Sequence, residues 1–148
     1  MPSERIGKFY DSGSFAIIGL SSRRRNFAWE ILNSLSSLKR PVYAIGASTG
    51  ELGGVKIYDS LGSLPEKPEA VIVCTKPKNT ALALGQIAAS ESRAVWFQQG
   101  SFNKEVIKRS KELKIDAITG CVMMYMPGTS FFHKIHRAVN EFFGRGYK

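Results

Sequence analysis

Short runs of β-branched and aromatic residues alternate with helical patterns along the chain, and few folds accept that alternation. Strand, helix and strand repeated in order build a parallel sheet covered by helices on both faces. The strand runs are Phe15 to Leu20, Val42 to Ile45, Ala70 to Cys74, Ala94 to Gln98 and Asp116 to Thr119. Each is short and apolar nearly throughout, the pattern of strands buried on both faces. The 148 residues suit one domain over the whole chain, enough to bury a core without a metal or disulfide staple. The expected fold class is α/β: a single doubly wound parallel sheet of about five strands with flanking helices.

The helical segments between these runs carry start and stop signals. Asn26 can cap a helix in which Phe27, Ile31, Leu32, Leu35 and Leu38 recur at helical spacing, and Pro41 ends it. Pro77 and Asn79 open a second with Leu84, Ile87 and Ala88 inward; Ser101 or Asn103 opens a third with Val106, Ile107, Ser110 and Leu113. At the end, "TSFFHKIHRAVNEFF" puts Phe132, Ile135, Val139, Phe142 and Phe143 on one helical face, with Gly144 and Gly146 as stop signals. Between Gly46 and Pro68 the pattern fails: "GASTGELGGVKIYDSLGSLPEKPEAV" is glycine-rich where an α/β unit has its second crossover helix, so a short or degenerate connection is expected.

The formal charge of +9 calls for an anionic ligand or partner. The basic residues are dispersed except at Arg23, Arg24 and Arg25, and no aromatic-interleaved RNA signature occurs, which argues against nucleic acid. No segment approaches the roughly 18 to 20 apolar residues that span a bilayer, so no membrane partner is expected. The start "MPSERIGKFYDSGS" lacks the apolar core of a signal peptide, and Cys74 and Cys121 lie in or beside apolar runs without a second cysteine at metal or redox spacing. A cytoplasmic protein with reduced, packed cysteines is the expectation.

The arginine run sits at an informative place. "FAIIGLSSRRRNFAWEIL" passes from the first strand through a polar turn into the first amphipathic helix. The first backbone N–H groups of a helix lack internal partners and carry the positive end of its dipole, which suits a phosphate. Gly19 permits a close turn, Ser21 and Ser22 offer hydroxyls and N–H groups, and the arginines offer charge-assisted contacts. The three-glycine dinucleotide fingerprint is absent, and Ile45 to Thr49 holds no acid to grip a ribose, which argues against NAD. NADP tolerates a basic site there, and Lys56 or the arginine run could serve it.

Four stretches together resemble the CoA-binding domain family, the Rossmann-like module that also forms the nucleotide-binding part of the succinyl-CoA synthetase alpha subunit. They are "AIIGLS" at the first strand end, "GGVKIYDSLGSLPEKPEAVIV" around Gly54, Tyr58 and Pro65, "WFQQG" at residues 96–100, and "GCVMM" after the fifth strand. Their order and spacing are similar to the small stand-alone members, although these usually have Asn-Pro where this chain has Gly46 and Ala47. The resemblance implies a ligand of coenzyme A or an acyl-CoA along three strand ends. The implied contacts are Gly19, Leu20, Ser21, Ser22, Arg23, Arg24 and Arg25; Gly46, Ala47, Ser48 and Thr49; and Cys74, Thr75 and Lys76. Tyr58 reads as a packed loop aromatic, and Trp96 with Gln98 as sheet core and its polar edge.

No catalytic centre is expected, since neither a carboxylate pair nor a Ser-His-Asp arrangement is evident. His133 and His136 share a helix side without a third ligand, so no metal is expected either, and Cys121 reads as packing. The alternatives are an NAD(P)-binding oxidoreductase or redox-sensing domain, and a basic nucleic-acid-binding module. Phe131, Met124, Tyr125 and Met126 add apolar surface beside the terminal stripe, and this surplus predicts a homodimer, with docking in cis as the alternative.

Overall fold

A computed structural model describes residues 2–21, 26–47, 49–92 and 94–125. Its centre is a seven-stranded sheet of β1 (Phe15–Ile18), β2 (Val42–Ile45), β3 (Gly50–Leu52), β4 (Val55–Tyr58), β5 (Ala70–Val73), β6 (Ala94–Gln98) and β7 (Ala117–Gly120), in the order β3-β4-β2-β1-β5-β6-β7. All pairings are parallel except β3 with β4. The α/β, Rossmann-like expectation therefore holds. The count of about five is corrected: Gly46 to Pro68 contributes two further strands, folded as a hairpin through Gly53 and Gly54, whose φ values are 60° and 81°. The hairpin stands where the crossover helix is missing.

Strand ends shift by one or two residues for local reasons. β1 and β5 stop at Ile18 and Val73, because Gly19, Leu20 and Cys74 turn away while still donating across the sheet: Cys74 N to Ile18 O at 2.8 Å and Gly19 N to Ile45 O at 2.9 Å. β7 starts at Ala117 instead of Asp116, whose exposed carboxylate pairs with Arg5 at 3.0 Å. β1 and β5 are fully buried, whereas the edge strand β7 is half-buried with Thr119 exposed, so it departs from the two-sided burial expected for every strand.

Helices α1 (Pro2–Tyr10) and α2 (Phe27–Ser36) cover one face, and α3 (Pro77–Ser90) and α4 (Lys104–Glu112) the other. The sequence reading did not anticipate α1. It docks through Phe9, whose ring lies 5.0 Å from Trp96 and 5.7 Å from Phe15 between centroids, while the Tyr10 hydroxyl donates to the Val122 carbonyl. Phe9, Phe15 and Trp96 are fully buried. Asn103 caps α4, its Oδ1 accepting from Val106 N at 2.9 Å; Ser101 instead packs in the preceding turn, donating to the Gln98 carbonyl at 2.6 Å. The expected terminal helix, with its stripe and both histidines, lies outside the described residues.

Candidate functional site

The strand order reverses between β1 and β5, and in doubly wound sheets the ligand crevice opens above that reversal, outside the carboxyl ends of the strands. Three chain turns meet there. Gly19 has φ +122°, and a β-carbon on it would lie 3.0 Å from the backbone of Cys74. Gly46 abuts Leu20 more closely, since a β-carbon there would fall 1.9 Å from the Leu20 oxygen. One carbonyl joins the first two turns, with Ile45 O accepting from Gly19 N at 2.9 Å and Leu20 N at 3.1 Å. The structure thus packs Gly46 against Leu20 on one side of the β1 turn and Gly19 against Cys74 on the other.

The turn after β1 is fastened to α2 by two side chains. Asn26 occupies the N-cap position, yet it makes no cap bond; its amide Nδ2 donates to the Gly19 carbonyl at 3.0 Å. The expectation that Asn26 caps α2 is corrected in this respect. Trp29 Nε1 donates to the Ser21 carbonyl at 3.2 Å, holding the other side of the turn. Asn26 is exposed and Phe27 half-buried, so the start of α2 faces outward, and Asn26 supplies no side-chain acceptor to it.

Beside this helix start lies a cleft of about 190 Å³. Asn26, Phe27 and Ala28 form one wall, Cys74, Thr75 and Lys76 a second, and Gln98, Gln99, Gly100 and Ser101 the third. Thr75 shares a 2.8 Å hydroxyl contact with the fully buried Thr80, which fixes its rotamer at the head of α3. Lys76 is exposed at the N-cap position of α3, where its carbonyl accepts from Asn79 N and Thr80 N, both at 2.9 Å, and its side chain makes no cap bond. The third wall is set by Gln98, whose side chain accepts from Val122 N at 2.9 Å and donates to Cys121 Sγ at 3.1 Å.

A larger cleft of about 420 Å³ opens at the amino ends of β6 and β7, among Arg5, Lys8, Ile87, Glu91, Lys114 and Asp116. Its charges are largely paired with each other or with neighbours: Arg5 with Asp116 at 3.0 Å, Glu91 with Lys67 at 2.7 Å and Lys8 with Glu4 at 3.9 Å. It offers neither a helix start nor a glycine turn. Size alone favours it; the chemistry of an anion site favours the carboxyl-end crevice.

Of the residues expected at the site, Cys74, Thr75 and Lys76 line the cleft, and Gly19, Leu20 and Gly46 build its frame. Ser21 is half-exposed beside α2, while Ala47 and Thr49 are exposed beyond Gly46. Ser22, Arg23, Arg24, Arg25 and Ser48 lie outside the described residues. Asn26, Gln99, Gly100 and Ser101 were not among the expected site residues; "WFQQG" marks Gln99 and Gly100 in the sequence without placing them at the cleft. Burial pushes the Cys74 thiol above its ordinary pKa, with the nearby Cys121 adding to the effect, so it remains protonated at neutral pH. Cys121 is fully buried. Among the described residues no three His, Cys, Asp or Glu side chains gather as a metal site, and no helix is long and apolar enough to cross a membrane.

Comparison with known proteins agrees with this fold. The family described as "CoA binding domain" matches residues 13–127. Among solved structures, a hypothetical protein from Pyrococcus horikoshii OT3 superposes with a TM-score of 0.76 at 24% identity, over 86% of this chain and 93% of its own. A protein from Thermus thermophilus superposes with a TM-score of 0.72 at 21% identity, over 91% of this chain and 98% of its own. These likenesses establish the fold. Comparison with curated proteins gives no match.

Proposed function

We propose, from the premise that the chain belongs to the CoA binding domain family, that it binds coenzyme A or an acyl-CoA across the carboxyl ends of β2, β1, β5 and β6. The observation that carries the reading is the start of α2. Its N-cap side chain is turned onto Gly19, its first turn faces a cleft, and three arginines precede it in the chain. Such a helix start contributes about 0.3 to 1 kcal/mol to holding an anion, and a charge-assisted arginine contact about 1.5 to 3 kcal/mol.

In this reading the pyrophosphate sits at the α2 start beside the Gly19 turn, Arg23 to Arg25 supply charge-assisted contacts, and Lys76 adds a point charge from the opposite wall. The thiol-bearing arm runs towards Thr75 and the Gln98 to Ser101 turn. The role is binding without a catalytic centre: the Cys74 thiol is held protonated and Cys121 is packed against Gln98. NAD suits the site poorly, because no acid stands at Ile45 to Thr49.

Thermal unfolding with added ligand tests the proposal, since binding confined to the native state raises apparent stability. Coenzyme A should raise the midpoint more than NAD at equal concentration. A rise with NAD and none with coenzyme A would reject it.

A further inference from the structure

β4 runs beside β2 with Ile45 opposite Tyr58, so Tyr58 ends at the level of the β2 turn. In doubly wound sheets the adenosine ribose of a bound nucleotide adjoins that turn, usually against an acid. Here the acid is missing, and the nearby side chains are of another kind. Lys56, two residues before Tyr58 on the same strand face, extends its ammonium to 4.9 Å from the Tyr58 ring centroid. Its cross-strand neighbour is Glu51, yet no ion pair forms between them, nor between Lys56 and any other carboxylate among the described residues. The charge is exposed, and an aromatic face supports it towards the carboxyl end of the sheet.

The support is itself fixed. Tyr43 packs edge-on against Tyr58 with centroids 6.3 Å apart, and the Tyr43 hydroxyl donates to Glu66, which engages that carboxylate away from Lys56. A lysine ammonium recognises a phosphate as a compact point charge, without needing the two-pronged geometry of a guanidinium. Resting on the reading of the site as a nucleotide crevice, we propose that Lys56, seated on Tyr58, recognises a phosphate on the adenosine ribose, the 3′-phosphate in coenzyme A. The pyrophosphate is left to the arginine turn, and the two anionic groups of the ligand are read by separate parts of the chain.

Calorimetric titration of the full chain with coenzyme A, dephospho-coenzyme A, NADP and NAD tests this. The wild type should prefer coenzyme A to its dephospho form. Lys56→Gln should lower coenzyme A affinity about tenfold, as expected for a lost charge-assisted contact, and leave dephospho-coenzyme A unchanged. Lys56→Arg, which keeps the charge and the ring contact, should restore the preference. Equal affinity of the wild type for both forms, or an equal or absent effect of Lys56→Gln on them, would overturn the assignment. If NADP binds over NAD with the same dependence on Lys56 and coenzyme A does not bind, the Lys56 role stands and the coenzyme A reading fails. A wild type that binds none of the four overturns both.

Discussion

Gly46 presses its Cα face onto the Leu20 carbonyl so closely that a β-carbon would lie 1.9 Å from the oxygen. The obstacle is backbone on a turn held by two hydrogen bonds to Ile45, so neither chain can step aside without breaking the β1 and β2 ends. Gly46→Ala should destabilise the fold by roughly 1 to 3 kcal/mol or more. Gly19→Ala should cost a comparable amount, of the order of 1 to 3 kcal/mol, because φ +122° is strained for a side-chain-bearing residue and Cys74 closes the space. Denaturant unfolding checks both; midpoints within error of the wild type would contradict this frame.

The arginine turn carries a separate expectation. If Arg23, Arg24 and Arg25 meet the pyrophosphate, their joint replacement by alanine should weaken coenzyme A and dephospho-coenzyme A alike. The loss should be about tenfold or more for each, from one or more lost charge-assisted contacts. A loss confined to coenzyme A would move the 3′-phosphate to this run, and no loss with either ligand would make the run a solvated surface.

Tyr43 gives the alkaline stability of the hairpin side a definite sign. The hydrogen bond to Glu66, then burial, pushes its pKa up to about 12 from the ordinary 10.0. The folded state therefore holds this proton more tightly than the unfolded chain. Its contribution is complete below about pH 10 and is lost as pH rises towards 12. Tyr43→Phe should lose stability less steeply than the wild type across that window, as read by unfolding midpoints at stepped pH. Parallel slopes would show that the phenol titrates normally.

The parallel core was legible because its strands are continuous apolar runs, and Phe15, Val71 and Phe97 are buried as that pattern requires. The hairpin was not, since Gly50 to Tyr58 carries Glu51 and Lys56 on short, half-exposed strands without strong alternation. α1 was missed although Ile6, Phe9 and Tyr10 recur at helical spacing, because nine residues give it little more than two turns. At the site, the Gly19 turn could be read from the end of the first strand, while Cys74 to Lys76 came from the family resemblance. The Gln99 to Ser101 wall could not, because its place depends on Gln98 reaching across to Val122 at 2.9 Å. Asn26 shows the same limit, since a residue suited to capping donates instead to a carbonyl seven positions back.

The sequence expectation of a homodimer rests on the terminal stripe of Phe132, Ile135, Val139, Phe142 and Phe143, with Phe131 beside it. Sedimentation over micromolar concentrations should find a concentration-dependent dimer that Phe131→Glu abolishes. A monomer throughout, with the variant unchanged in mass and solubility, would place the stripe against its own domain.

The central claim is that the carboxyl-end crevice is a coenzyme A site, and calorimetric titration of the wild-type chain with coenzyme A and with NAD, followed by repetition on a chain carrying Lys76→Ala together with alanine at Arg23 to Arg25, tests it most directly. The account predicts saturable coenzyme A binding at one site per chain, weaker or absent NAD binding, and a large loss in the variant while its unfolding midpoint without ligand stays near that of the wild type. No saturable binding of coenzyme A by the folded wild type, or binding untouched by the four substitutions, would contradict it.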